Sequence, residues 1–296
     1  MTDFEVSSVA SFLDALPSLF HRWYPSTATP SAIWYRGQPD NSHDLLPTLY
    51  RPELLDRNYD EVTLLEQFKA QAPPSVPREP TTEWEWHFLA RHHGLPSRLL
   101  DWTENALAAL WFAIIEHVPQ DKAQYHRIID QPRPSPIFDS TSPVVWAIDP
   151  GVLNASSFGP DDDKIFMVGG DFSKHWLADF VSKGYPTGFS FDGADFTNEL
   201  PMAVFPTRRN TRIVAQQGVF TVHGFSRVPI NELRPFSLPN SPYLQKIIID
   251  PAAVCHIHFE LDLLGITRHS LYPDLDNLSY YLQWAYWLPE TIEGAG

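Results

Sequence analysis

Four side chains able to move a proton or hold an anion lie close together in the chain: His92, His93, Arg98 and Asp101. They flank the turn Gly94-Leu95-Pro96 inside the run WHFLARHHGLPSRLLDWTENALAALWFAI, residues 86–114. An imidazole titrates near neutral pH and can act as general base or hydrogen-bond donor. A guanidinium matches the shape of a phosphate or carboxylate. Polar groups gathered where a helix begins are suited to binding anions. The same residues also have a plainer reading. Arg98 and Asp101 can pair with each other, and Asp101 or Thr103 can cap the apolar helix that follows at 104–117.

Two other stretches carry similar chemistry. Tyr35-Arg36-Gly37-Gln38 ends an apolar segment. An arginine there needs water or an anionic partner. Arg36 therefore holds a ligand phosphate or carboxylate, or it pairs with a buried acid such as Asp101 or Glu66. Gly37 lets another group approach the backbone. Further on, Arg212-Ile213-Val214-Ala215-Gln216-Gln217-Gly218-Val219-Phe220 places two amides in an apolar run that reads as a strand. Alternation sends Gln216 and Gln217 to opposite faces, so one of them faces any given pocket. An edge strand with one Gln in solvent is the alternative. Asp274 or Asp276 caps the last helix. The acidic run Asp161-Asp162-Asp163 reads as a solvated loop, and no metal site is expected. Cys255 lies in the apolar run AAVCHIHF and reads as a core thiol.

The elements that must position these groups follow from periodicity and breakers. Helices are expected at 6–23 (with Pro17 kinking or ending it), 60–72, 82–93, 104–117, 260–265 and 274–288. Strands are expected at 32–38, 143–150, 202–207, 212–224 and 245–251, followed by the alternating run 253–261. Residues 45–51 are extended or a short turn. A linker spans 118–142, and 154–200 reads as a lid or irregular insertion. Helices dominate early and strands late, which predicts an α+β fold with a mixed or antiparallel sheet.

Composition sets the outer limits. The formal net charge of −15 gives no general attraction to nucleic acid or an anionic membrane, although a local arginine cluster can still bind phosphate. One cysteine rules out an intramolecular disulfide and fits a reducing cytoplasm. The N-terminus has no secretory pattern and no stretch is long enough to span a membrane, so a cytoplasmic protein is expected. The 28 prolines predict many fixed turns and few long helices.

Four motifs occur in order: Tyr35-Arg36-Gly37, then Leu46-Pro47-Thr48-Leu49-Tyr50-Arg51, then a helix bearing Glu66 and Phe68, then the ARHHGLPSRLLDWT run at 90–103. Together they resemble the FRG domain of bacteria and phage, with Tyr in place of Phe in the naming motif. The resemblance spans about 30–115, and segments 212–220 and 271–276 extend it. It implies a single FRG-type domain over 1–296, with its core motifs at 30–115 and a strand-rich part at 143–296. The layout is also similar to ADP-ribosyltransferases, which implies a mainly antiparallel split sheet beside an N-terminal helical part. On that likeness NAD is the substrate. Arg36 is the first station, Thr48 or Tyr50 the second, and Gln217 or Gln216 the third. Tyr35, Gly37, Gln38 and Arg98 complete the binding surface, and His93 is the polarising group or base. No Glu stands at the Gln217 position. The implied role is a toxin or anti-phage effector with a macromolecular acceptor and a regulatory or antitoxin partner. A hydrolase or nuclease using His92, His93, Arg98 and Asp101, and a non-enzymatic sensor or interaction module, are the alternatives.

Overall fold

A computed structural model describes residues 3–23, 32–55, 57, 59–76, 78–181, 187–238 and 241–286. Its strands are β1 Phe4–Val6, β2 Trp34–Gln38, β3 Leu99–Thr103, β4 Val144–Ile148, β5 Phe166–Met167, β6 Gly188–Phe191, β7 Ala194–Thr197, β8 Met202–Phe205, β9 Gly218–Val222 and β10 Leu244–Ile249. Its helices are α1 Val9–Trp23, α2 Pro52–Leu55, α3 Glu61–Gln71, α4 Glu83–His92, α5 Ala106–Ile114, α6 Lys122–Ile129, α7 Pro150–Phe158, α8 Ala178–Val181, α9 Thr211–Ala215, α10 Val254–Leu263, α11 Arg268–Leu271 and α12 Leu275–Ala285.

Eight strands form one sheet in the order β1-β10-β4-β2-β3-β9-β8-β5, and β6-β7 is a separate hairpin. The two outermost pairs, β1-β10 and β5-β8, are parallel and the inner pairs antiparallel. The fold is thus α+β with a mixed, mainly antiparallel sheet. Pairing is uneven. β2 runs beside β4 over five residues and β3 beside β9 over five, but β2 meets β3 at one pair, Tyr35 with Thr103. The sheet is nearly parted there, and the gap is where the site lies.

Strand alternation builds a core on each side. Tyr35, Val145, Ala147, Ile247 and Ile249 pack against α1, α5 and α10. Trp34, Leu100, Trp102, Val144, Trp146 and Ile148 form the opposite core. Helix α5 is apolar almost all round because it is buried almost all round, with Ala108, Leu110, Trp111 and Ile114 enclosed. Helix α1 runs through Pro17, because its buried Phe12, Ala15 and Leu19 hold the apolar face in place.

Several expectations are corrected. Asp101-Trp102-Thr103 is strand, not a cap; Asn105 caps α5, its Oδ1 accepting from the Leu107 and Ala108 amides at 3.0 and 3.2 Å. The linker at 118–142 contains α6, which Asp121 caps. The start of the strand expected at 212–224 instead belongs to α9, because Asn210 accepts from the Arg212 amide and starts a helical turn. The run at 253–261 is helical: Asp250 opens a turn that continues into α10, and local capping outweighs the alternating pattern. The irregular stretch 154–200 resolves into α7, α8, β5 and the β6-β7 hairpin, apart from residues outside the described set. Among the described residues no helix is long and apolar enough to cross a membrane.

Candidate functional site

Gly37 fixes the relation of β2 to α5. A Cβ at this position would lie 2.1 Å from the Ala109 carbonyl oxygen and 2.5 Å from the Ala113 nitrogen. Only a residue without a side chain lets the helix backbone press this close. The neighbouring Gln38 is spent on structure, its Oε1 accepting from Trp146 Nε1 at 2.7 Å.

Arg36 enters the gap between β2 and β3. Its Nη1 donates to the Asp101 carbonyl at 2.7 Å and lies 3.8 Å from Asp101 Oδ2. Its Nε is buried with no hydrogen-bond partner among the described residues. Burial lowers the guanidinium pKa to about 10, partly offset by the Asp101 charge, so Arg36 stays protonated at neutral pH.

Asp101 is the hub of this charge cluster. Arg91 donates to its Oδ2 from Nη2 at 2.6 Å and from Nε at 3.1 Å. Burial alone would raise the Asp101 pKa, but Arg91 and then Arg36 outweigh it and hold the carboxyl below its usual range. The group is densely surrounded yet its side chain is 44% exposed, opening onto the cavity. Arg91 also reaches Thr48 Oγ1 at 2.9 Å. Arg51 sits nearby with Nε on the Leu46 carbonyl at 3.3 Å, and burial followed by Arg91 lowers its pKa.

The far wall comes from α9 and the approach to α12. Arg212 donates to Asp274 Oδ2 at 2.8 Å, and its guanidinium carbon lies 4.9 Å from the Tyr272 ring centroid. Gln216 donates from Nε2 to the Leu271 carbonyl at 3.1 Å, and its own carbonyl accepts from Thr103 Oγ1 at 2.6 Å. His92, the last residue of α4, completes the rim. Burial first, then Arg212 and His93, push its pKa down to about 4, so it is neutral at pH 7.

These groups enclose a cavity of about 560 Å³, within the usual range for small-molecule sites. Its lining carries four arginines, Arg36, Arg51, Arg91 and Arg212, against two carboxylates, Asp101 and Glu116. Six aromatic side chains, Tyr35, Phe88, Trp102, Phe112, Phe220 and Tyr272, complete the walls. A second hollow near His258 and Trp284 measures about 20 Å³, room for roughly one water. Among the described residues no cluster of three or more His, Cys, Asp or Glu is placed to hold a metal ion.

Residues 31–122 match the family model of the FRG domain. The chain carries an FRG domain. No curated protein and no solved structure matches the chain. The FRG segment supplies β2, α4, β3, α5 and the turn before α2, hence Arg36, Arg91, Asp101 and Arg51. Arg212, Gln216 and Tyr272 come from outside the matched range, so the later chain closes the cavity that the FRG segment opens.

The structure brings Tyr35, Arg36, Gly37, Gln38 and Gln216 to this cavity. It places the other sequence-derived candidates elsewhere. His93 is exposed and outside the lining, because successive helical residues point about 100° apart and His92 takes the inward direction. Gln217 is exposed at φ 47, in the left-handed turn that reverses α9 into β9, so it too misses the cavity. Thr48 stands behind Arg91. Tyr50 is buried with its hydroxyl on the Gly224 carbonyl at 2.6 Å. Arg98 is enclosed by Glu61 and by the His223 and Trp176 carbonyls, all at 2.6 Å, so it braces the fold instead of facing a ligand. The four-residue hydrolytic cluster is therefore not assembled: Asp101 and His92 line the cavity and Arg98 and His93 do not.

Arg51, Arg91, Arg212, His43, Glu116, Phe88, Phe112 and Tyr272 line the cavity without having been singled out. Arg51 and Arg91 were visible as members of the ordered motifs, and Arg212 and Tyr272 as members of the two later segments. Glu116 and Phe112 carried no signal, lying inside or just after an apolar helix.

Proposed function

We propose that the cleft between β2 and β3 binds NAD and transfers its ADP-ribose to an acceptor, in the role of a toxin or anti-phage effector. The observation that carries this reading is four arginines and six aromatic side chains around one cavity of about 560 Å³, in a chain of net charge −15. A local cationic site on an acidic chain selects an anion strongly and specifically. Arg36 is suited to a pyrophosphate because its buried Nε lacks a partner. Phosphate oxygens would supply that partner with a charge-assisted hydrogen bond.

The residues divide the work. Arg36, with Arg51 and Arg91, holds the pyrophosphate. Asp101 keeps Arg36 and Arg91 oriented before the ligand arrives. Tyr272 and Phe112 offer faces for flat rings. His92, uncharged at neutral pH, accepts the acceptor's proton. Gln216 contacts a ribose hydroxyl. In the transfer, the bond between ribose C1′ and the nicotinamide nitrogen breaks, nicotinamide leaves with the electron pair, and the acceptor bonds to C1′ as it loses its proton.

The test is incubation with NAD labelled in its adenylate, alone and with bacterial or phage-infected lysate. Labelled acceptor and free nicotinamide are expected from the native chain, with both reduced at least about tenfold in Arg36→Ala, since one charge-assisted bond is worth roughly 1.5–3 kcal/mol. Absence of transfer and of nicotinamide release from the native chain would overturn the reading. Undiminished biological activity in Arg36→Ala would favour a non-enzymatic module.

A further inference from the structure

Glu116 differs from the other charged groups of the cavity. Asp101 is bound by Arg91 and Arg36, and Arg212 by Asp274. The Glu116 carboxylate has no ion pair or hydrogen bond among the described residues, and it is exposed toward the cavity it lines. Its position is nevertheless fixed. It lies on the short 3₁₀ turn Ile115–His117 that continues α5. His117 Nε2 is 2.7 Å from the Pro39 carbonyl, which ties this turn to the segment just after β2. Gly37 brings α5 against the same strand.

Alternation along β2 then sets the direction of Arg36 relative to Glu116. Tyr35 packs in the core beneath α5 and Trp34 in the opposite one, so Arg36 leaves the strand on the face away from α5. Glu116 stands on the α5 side, beyond the end of the strand. Of the cations, Arg91 and Arg212 stand on the α5 side with Glu116, but each is paired, with Asp101 and with Asp274, whereas the Glu116 carboxylate is unpaired among the described residues. A carboxylate repels phosphate, so the part of the ligand beside Glu116 is neutral or positively charged.

We infer that Glu116 is a specificity-determining residue that selects a cationic ring at the non-phosphate end of the ligand, so that the cleft prefers NAD⁺, with its pyridinium, to NADH, whose dihydronicotinamide ring is uncharged. The inference rests on the NAD reading above. It adds the orientation of the ligand, with the pyrophosphate on the Arg36 side and the nicotinamide on the Glu116 side. It also explains a carboxylate in a cavity otherwise built for anions.

The experiment compares affinities of NAD⁺, NADH and ADP-ribose for the native chain and for Glu116→Gln, by calorimetry at pH 8, where imidazoles are uncharged. Glu116 is a surface residue without partners among the described residues, so the variant should fold, and an unchanged melting temperature checks that. The native chain should bind NAD⁺ about three- to fivefold more tightly than NADH, the scale of a partly screened charge pair. Glu116→Gln should bind the two equally. ADP-ribose, which lacks the ring, should bind both proteins alike. Equal affinity of the native chain for NAD⁺ and NADH, or a preference that survives in Glu116→Gln, overturns the inference while ADP-ribose binding leaves the NAD reading standing. If none of the three ligands binds, both fall.

Discussion

Arg98 is 3% exposed and has an acceptor on each side: Glu61 Oε2, the His223 carbonyl and the Trp176 carbonyl. Arg36, at 12%, keeps a buried Nε with no acceptor among the described residues. Each arginine adjoins apolar residues in the sequence, Trp34-Tyr35 or Leu99-Leu100. What distinguishes them is whether the fold itself completes their hydrogen bonds, and only the three-dimensional partners show that. Removing the acid from the Arg98 pair should therefore cost stability and leave the cleft intact. Glu61→Gln is expected to lower unfolding stability by about 3 kcal/mol, the usual cost of stranding a buried charge, in chemical denaturation. An effect below about 1 kcal/mol would mean that Arg98 is not held as described. The adjacent histidines teach a related lesson. The sequence marks both, and helix geometry decides that His92 and not His93 faces the cavity.

At the scale of elements, the contact of β2 with α5 is the part most directly readable in the chain. Gly37 between Arg36 and Gln38 announced a close approach, and the helix that approaches was expected from its apolar run at 104–117. Gly37→Ala would place a methyl within 2.5 Å of two backbone atoms of α5, and helix backbone cannot move aside cheaply. The variant should lose about 3 kcal/mol or more, or fail to accumulate as folded protein, by thermal melting and soluble yield. Native-like melting would show that α5 does not lie against β2. Where expectation failed, local capping overrode pattern. Asn210 and Asp250 start helical turns in segments whose alternation looked like strand. Asn105 took the cap that Asp101 or Thr103 was expected to provide, and Asp101 faces the cavity. Those outcomes depend on which of several competent side chains folds back on its own backbone. The Gln216–Gln217 pair ended with one amide in the cavity, as alternation required, although a helix end and a left-handed turn produced that result.

At the scale of the whole molecule, the FRG segment is not a closed unit. Its two strands touch each other at a single residue pair, and each has its full-length partner, β4 or β9, beyond residue 122. A fragment of residues 31–122 is therefore expected to lack cooperative unfolding by circular dichroism, and a sharp transition in it would contradict this topology. Acid sensitivity is a second global property. Burial pushes the imidazoles of His87 and His258 down to about 4 and that of His223 to about 3, from an ordinary value near 6.5. Below pH 6.5 the unfolded chain takes up protons that the folded chain refuses, so the unfolded state gains. Stability should hold above about pH 6.5 and fall as pH drops from 6.5 towards 4. A flat melting temperature across that window would be inconsistent with these buried neutral rings.

The central claim is that the gap between β2 and β3 is a binding site for a pyrophosphate, with Arg36 as its anchor. Calorimetric titration of ADP-ribose into the native chain and into Arg36→Ala tests it most directly. Saturable binding at one site is expected, weakened roughly thirtyfold in the variant for the loss of about 2 kcal/mol of charge-assisted hydrogen bonding. No binding to the native chain, or equal affinity in both proteins, would contradict it.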